Sequence, residues 1–334
     1  MRLPCLAVFW LFSCSEVLLI ASQARAIWFA ALLARHRSET VTRLLKRFLR
    51  TALRRLGYGL VRLPGDAPIP VSANGQDWER LYYQTLERFR LSEAMRDIHR
   101  QDAVEVEELY RHFLFTDLPK REGRARDLSD LIGTTVSEAI YVIKNLHDGL
   151  KVPGDICEFG VAQGATSKLL ASEIMPLADR NFWLFDSFEG LPAPTKEDKL
   201  IHDIFKLGTM DKYKGTMASP ETEVLGKLAS VNFPRERIKV KKGWVKDAIK
   251  SGELPGKVAF AYVDFDFYDP IKDALEFLDT RMAAGGRIVV DDYGFFSEGA
   301  QLAVDQFVAA AGDRYKFEMP LPFAGHFCML SKVA

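Results

Sequence analysis

The chain has 334 residues, and its 45 Lys and Arg balance 45 Asp and Glu. Apolar residues at 48% and charged residues at 27% exclude wholesale disorder, and zero net charge argues against a dedicated nucleic-acid binder. Four cysteines without a CxxC or Cys/His cluster are too few for a disulfide scaffold and argue against structural zinc; reduced thiols in a cytoplasmic protein are the simplest reading.

The balance hides an asymmetry. Residues 1–63 hold eleven Lys and Arg against only Glu16 and Glu39, a local charge of +9, so the remainder carries −9. The apolar stretch Leu3–Leu33 is interrupted by Glu16, Gln23 and Arg25, which counts against a spanning helix. A signal peptide with Ala24-Arg25-Ala26 as its cleavage site, and a true start near Val41, are the other readings of this leader. Within Val41–Leu56 the residues Leu44, Leu45, Phe48, Leu49, Ala52, Leu53 and Leu56 recur at 3–4 spacing, and the opposite face is nearly all arginine. That pattern fits either a peripheral contact with an anionic membrane surface, on its inner face, or a helix packed on its own domain or a second subunit.

Residues 64–75, with Pro64, Gly65, Pro68, Pro70, Asn74 and Gly75, read as a linker. Trp78–Phe89, Ser92–Phe115 and Asp127–Leu146 read as helices that cover the following sheet, with Ser129 as a cap and Thr134, Thr135 and Glu138 near the start of a cofactor loop. The domain expectation is therefore a leader over 1–63, a linker and helical cover over 64–150, and an α/β domain over 151–334.

From residue 153 short apolar runs alternate with helical stretches. Asp155–Phe159, Asn181–Asp186, Arg237–Lys242, Val258–Asp264 and Arg287–Asp291 are expected strands, with a helix over Thr166–Met175. This alternation predicts a doubly wound parallel sheet with its ligands beyond the carboxyl ends of the strands. The loop from Glu158 through Gly160 to Gly164 lacks G-x-G-x-x-G, which disfavours a dehydrogenase. Asp186 lies 22 residues beyond Gly164, where a carboxylate can accept from ribose hydroxyls. Two acceptors, Glu158 and Asp186, favour a cationic cofactor without phosphate, and S-adenosylmethionine (SAM) has that chemistry.

Tyr262-Val-Asp264-Phe-Asp266-Phe-Tyr-Asp269 ends one strand and Val290-Asp291-Asp292-Tyr293-Gly294 ends the next. Asp269, before Pro270, reads as a helix cap. Asp264, Asp266, Asp291 and Asp292 would meet at one sheet edge, where four carboxylates repel unless protonated or neutralised by a cation. Hard oxygen ligands suit Mg²⁺, Mn²⁺ or Ca²⁺ rather than zinc.

On these residues the sequence resembles the macrocin O-methyltransferase family. The matching stretches are Pro153–Val161 with Gly164, Phe185-Asp-Ser-Phe-Glu-Gly-Leu-Pro192, Lys242-Gly-Trp244 with Asp247, Val263–Tyr268, and Gly285-Gly286 leading to Val290–Gly294. Ala162, Ala165 and the run Val245-Lys-Asp-Ala-Ile249 depart from the family pattern. The resemblance implies a class I SAM-methyltransferase fold, Rossmann-like, with seven strands and the last antiparallel around His326–Ser331. It implies a SAM-dependent O-methyltransferase acting on a sugar or glycan hydroxyl, and a homo-oligomer. It places Glu158, Gly160 and Gly164 at the methionine end of SAM, Asp186 at the ribose, Ser187 and Phe188 beside the adenosine, and Gly243, Trp244 and Asp247 around the adenine. Asp266, Asp291 and Asp292 would bind Mg²⁺ (or Mn²⁺), and Asp264 would be the general base. A catechol-like phenol acceptor, and a non-catalytic SAM-binding module at a membrane, are the competing readings. The proline- and charge-rich stretch from Leu191 to Pro220 reads as a lid, within which His202 is a candidate to reach the site, while His326 reads as a packed side chain.

Overall fold

The structure, a computed structural model, describes residues 93–333 apart from Ser251 and Phe323, with side chains from Arg100 onward. These residues all belong to the compact unit Val71–Ala334. The leader with its amphipathic run 41–56, the linker 64–75 and the helix expected over 78–89 lie outside the described residues.

Among the described residues, three helices precede the sheet: α1 (Glu93–Phe113), α2 (Arg124–Ser129) and α3 (Val136–Gly149). The single helix expected over 127–146 is broken into α2 and α3. Gly133 takes φ +86°, outside helical space, and Thr135 restarts the chain as an N-cap, accepting from Glu138 N at 3.1 Å. Ser129 is the last residue of α2, its hydroxyl donating back to Arg126 O, so it caps no helix start.

The sheet is built from β1 (Asp155–Phe159), β2 (Phe182–Asp186), β3 (Ile238–Lys242), β4 (Val258–Val263), β5 (Met282–Val290), β6 (Tyr315–Glu318) and β7 (Cys328–Lys332), in the order β3-β2-β1-β4-β5-β7-β6. The first five pair in parallel. β7 runs antiparallel to both β5 and β6, so the final strand is inserted between two others. The remaining helices are α4 (Ala165–Ile174), α5 (Glu221–Ser230), the short α6 (Val245–Ala248), α7 (Tyr268–Asp279) and α8 (Glu298–Ala311).

Alternation along each strand divides the core into two faces. Ile156, Phe182, Leu184, Phe260, Tyr262 and Val289 pack against α1–α5 on one side. Cys157, Trp183, Phe185, Ala261, Val263 and Val290 pack against α6–α8 on the other. β4 is buried along its whole length, the signature of a central parallel strand with both faces covered. Reversal from β1 to β4 leaves a crevice at their carboxyl ends, which is where an open sheet of this winding receives its ligands.

A buried ionic knot fastens the first face. Arg124, fully buried on α2, donates to Glu173 of α4 at 2.7 and 2.8 Å and to Glu107 of α1 at 2.8 Å. Arg121 donates to the same Glu173 at 2.6 Å, and His147 Nε2 of α3 lies 2.9 Å from it. Burial alone would raise the Glu173 carboxyl, yet Arg124, His147 and Arg121 hold it down at about 2. Three helices, α2, α3 and α4, thus meet at one carboxylate, and α1 joins them through Glu107 on Arg124. Removing one partner of such a pair leaves an uncompensated buried charge, so Glu173→Gln is expected to destabilise the chain by about 3–5 kcal/mol at pH 7. Because the folded value of about 2 lies below the ordinary 4.5, the carboxylate's contribution is complete above pH 4.5 and fades as pH falls toward 2. Urea denaturation of wild type and variant should therefore converge in that acidic window, and a gap that persists at its lower end refutes the role given to this charge.

Candidate active site

The strand ends form a row of backbone contacts. Gly243 N donates to Asp186 O, Gly160 N to Phe185 O, Asp264 N to Phe159 O and Asp291 N to Val263 O, all at 2.8–2.9 Å. The residues following β3, β1, β4 and β5 are thereby held in register along one edge. A cavity of about 700 Å³ opens above this edge, reaching from the loop after β1 to the acids after β4 and β5.

The loop after β1 is shaped by a close backbone approach. Gly160 has φ +82°, and a Cβ there would overlap the carbonyl oxygen of Asp264. Only glycine satisfies both conditions. Gly164, at φ +76°, precedes α4 and would press a Cβ against Val224 of α5. Asp186 fastens the loop to β2: its Oδ2 accepts from Val161 N at 2.7 Å and Ala162 N at 3.3 Å, and its Oδ1 from Phe188 N at 2.6 Å. Burial raises its carboxyl, and these three N–H groups offset part of that cost.

Glu158 lies beneath the same loop, fully buried, and neither of its oxygens meets a hydrogen-bond partner. Burial pushes its carboxyl up to about 8; the neighbouring Ser167 hydroxyl offsets part of this, and the Asp186 charge adds to it. An acid held this way is available to a positively charged ligand.

At the other end, Asp264, Asp266 and Asp292 bring carboxylate oxygens within 4.8 Å of one another. Asp266 and Asp292 both adopt left-handed backbone, φ +61° and +57°, which aspartate tolerates better than most side chains. Each turn brings its side chain back over the strand ends. Burial, then Asp291 and Asp292, push Asp264 well above the usual carboxylate range. Burial and Asp264 push Asp266 up to about 7, and burial with Asp266 pushes Asp292 upward too. Asp291 has a different immediate role. Its Oδ2 accepts from the Tyr262 hydroxyl at 2.7 Å and its Oδ1 from Asp292 N at 2.8 Å.

Sequence reasoning gave Tyr262 no role and placed Glu138 only near the start of a cofactor loop, not in the acid cluster. Tyr262 is fully buried on β4, its hydroxyl 3.4 Å from Glu138 Oε1 and 3.5 Å from Asp264 Oδ2. Glu138, on α3, is a further buried acid, raised first by burial and then by Asp291. Thr135-x-x-Glu138 signals a helix start, but nothing in it signals that the glutamate reaches strand ends more than a hundred residues onward.

Of the remaining expected residues, Ser187 and Trp244 line the cavity. Gly243, Gly164, Phe188 and Asp247 do not: Gly243 sits in the backbone row, Phe188 at φ +59° turns the chain after Asp186, and Asp247 is exposed on α6. Leu191–Pro220 contributes Leu191, Pro192, Ile204, Phe205 and Met217 to the cavity wall. His202 is exposed, its ring tilted against Phe295 at 5.0 Å, and the exposed His326 stacks on the same Phe295 at 4.7 Å.

The profile of the macrocin-O-methyltransferase (TylF) family matches residues 135–317, from the cap of α3 to β6. The chain belongs to that family. Among curated relatives, it is 31% identical over 150 residues to the 8-demethyl-8-(2,3-dimethoxy-alpha-L-rhamnosyl)-tetracenomycin-C 4'-O-methyltransferase of Streptomyces olivaceus, covering 44% of this chain and 55% of that protein. It is 29% identical over 163 residues to the demethyldecarbamoylnovobiocin O-methyltransferase of Streptomyces niveus, covering 48% and 60%. The match therefore spans little more than half the length of these relatives. The solved structure of the O-methyltransferase NovP superposes with a TM-score of 0.53 at 19% identity, over 70% of this chain and 99% of that one. The fold is that of the class I SAM-dependent methyltransferases, as the TylF-family resemblance implies.

Proposed function

We propose that this chain transfers a methyl group from SAM to a hydroxyl of a sugar or glycan, with a divalent cation, Mg²⁺ or Mn²⁺, held by the acid cluster. The observation that carries this reading is the pairing, within one cavity, of an unpartnered buried Glu158 under a glycine loop with three converging aspartates. The names of two relatives, an O-methyltransferase of a rhamnosyl tetracenomycin and one of demethyldecarbamoylnovobiocin, support an oxygen acceptor, and the first supports a glycoside.

The residues fit both groups. SAM brings a sulfonium and an ammonium and no phosphate, which suits a loop backed by Glu158 and Asp186. Gly160 lines the cavity where the loop closes on Asp264, Asp186 and Ser187 would face the ribose of SAM, and Trp244 would border its adenine. Asp264, Asp266 and Asp292 offer the hard oxygens that Mg²⁺ or Mn²⁺ prefers, and a cation would remove the mutual repulsion that now raises them. Asp291 steadies this set through Asp292 N and Tyr262, and a carboxylate's spare lone pairs leave it able to join the ligands.

When bound, SAM supplies an electrophilic methyl and the cation supplies positive charge that makes a nearby hydroxyl more acidic. The chain does the rest. One carboxylate of the cluster takes the acceptor's hydroxyl proton, a contribution of about 10²–10⁴. The backbone row fixes the Glu158–Gly160 loop against Asp264, so donor and acceptor meet in line. The apolar strap residues and Phe295 exclude water. The run 41–56 would bring the chain to an anionic membrane surface, and a homo-oligomer follows from the TylF-family likeness.

Exhaustive chelation with EDTA is expected to suppress methyl transfer and Mg²⁺ to restore it; turnover that survives chelation rejects the cation. Within the cluster, Asn variants of Asp264, Asp266, Asp291 and Asp292 should sort by Mn²⁺ titration. Ligand variants lose ion affinity, whereas the base variant keeps it and loses turnover by about 10²-fold or more.

Glu158 is expected to be largely protonated in the free chain at pH 7 and ionised opposite a cationic ligand. Calorimetry of S-adenosylmethionine binding in buffers of different ionisation enthalpy should therefore record release of up to about one proton. Glu158→Gln should abolish that release and weaken binding by about 10- to 100-fold; unchanged affinity and proton release would remove Glu158 from the cofactor site.

A further inference from the structure

Asp198 differs from the acids described above. It belongs to the strap Leu191–Pro220, borders the cavity and is only 4% exposed, yet both its oxygens are saturated by protein donors. Oδ2 accepts from Thr195 N at 2.7 Å and Thr195 Oγ1 at 2.9 Å. Oδ1 accepts from Tyr268 N at 2.8 Å and Ser297 Oγ at 3.2 Å. No lone pair is left for a ligand, so its work is done on the protein.

Those two distant partners begin the helices that follow the acid-bearing loops. Tyr268 is the first residue of α7, two positions after Asp266. Ser297 is the N-cap of α8, five positions after Asp292, its Oγ also accepting from Gly299 N at 2.9 Å. One carboxylate therefore bridges the starts of two helices whose preceding loops must place their aspartates within 4.8 Å of each other.

The surroundings reinforce the bridge. Ile201 N donates to Phe296 O at 3.0 Å and Glu298 N to Lys199 O at 2.9 Å, on either side of a β-bridge between Leu200 and Ser297. Below it, Phe205, Tyr213, Phe296 and Phe267 form a continuous ring contact that ends beside Asp266. A Cβ at Gly299 would overlap Asp198 Oδ1, so the approach also demands glycine in the first turn of α8.

We propose that Asp198 is a positioning residue: it latches the strap over the cavity and, through Tyr268 N and Ser297, sets the spacing of the two loops that carry the acid cluster. The latch stands on geometry alone, while its effect on ion binding rests on the proposed cation site.

The test uses the full chain with Asp198→Asn, which places an amide N–H₂ against donors, and independently with Gly299→Ala, which displaces the carboxylate without altering it. Native far-UV circular dichroism qualifies each variant, and either one suffices. Trypsin cleavage after the strap lysines (Lys196, Lys199, Lys206, Lys212 and Lys214), followed by mass spectrometry, is expected to accelerate at least tenfold, with cleavage after Lys227 on α5 unchanged. Mn²⁺ affinity should fall at least fivefold while S-adenosylmethionine affinity stays within twofold. Unchanged strap cleavage overturns the latch. Faster cleavage with unaltered Mn²⁺ affinity, or equal losses for both ligands, overturns the positioning role. A wild-type chain that binds no Mn²⁺ rejects the cation site instead, and proteolysis still decides the latch.

Discussion

Uncompensated negative charge at the carboxyl edge of the sheet is the constraint around which the rest is arranged. Glu138, Glu158 and Asp266 are buried and Asp264 and Asp292 partly buried, and what raises each is burial together with a neighbouring carboxylate. A folded domain does not hold so many acids in one crevice for stability's sake, because each costs free energy when charged and unpaired. Contrast Glu173, whose charge is equally buried but met by two arginines and a histidine. The same chain settles one carboxylate completely and leaves a whole cluster unsettled, and that contrast marks where incoming positive charge belongs.

Much of this was legible in the primary sequence. Four of the five parallel strands lie within a residue of their expected bounds and β5 begins five residues early, at Met282; the central strands carry apolar runs because both their faces are covered, whereas the edge strand β3 alternates lysine with Ile238 and Val240. β6 had no such signal; Tyr315–Glu318 carries two charges and pairs only as an edge. The break at Gly133 was hidden by apolar spacing on both sides. Site membership was legible wherever the residue sits at a strand end, as Asp186, Asp264 and Asp291 do. It was not legible where a side chain arrives from another layer. Glu138 and Asp198 reach the cluster region across 124 and 70 residues of sequence, respectively, and no local pattern encodes such a meeting.

The two halves of the crevice are also mechanically joined. Gly160 and Asp264 share a backbone contact with no space for a methyl group, and Asp186 clamps the loop that Gly160 begins. Any shift of the glycine loop is transmitted to the strand end bearing Asp264, and so to the acids around it. A cofactor seated on one half and an acceptor on the other would be kept at a fixed separation by main-chain atoms rather than by mobile side chains, which is the kind of preorganisation that methyl transfer in line requires.

The helices ahead of β1 take part in both the core and the acid cluster. Here α3 contributes the floor under Tyr262, through Glu138, and covers Phe260 and Val289 with Ile140, Ile143 and Leu146. Ala103 and Tyr110 of α1 extend the same apolar layer. A recombinant fragment trimmed to begin at β1 would open that layer to water and strip one acid from the cluster, so a self-sufficient fold needs chain upstream of Ala103.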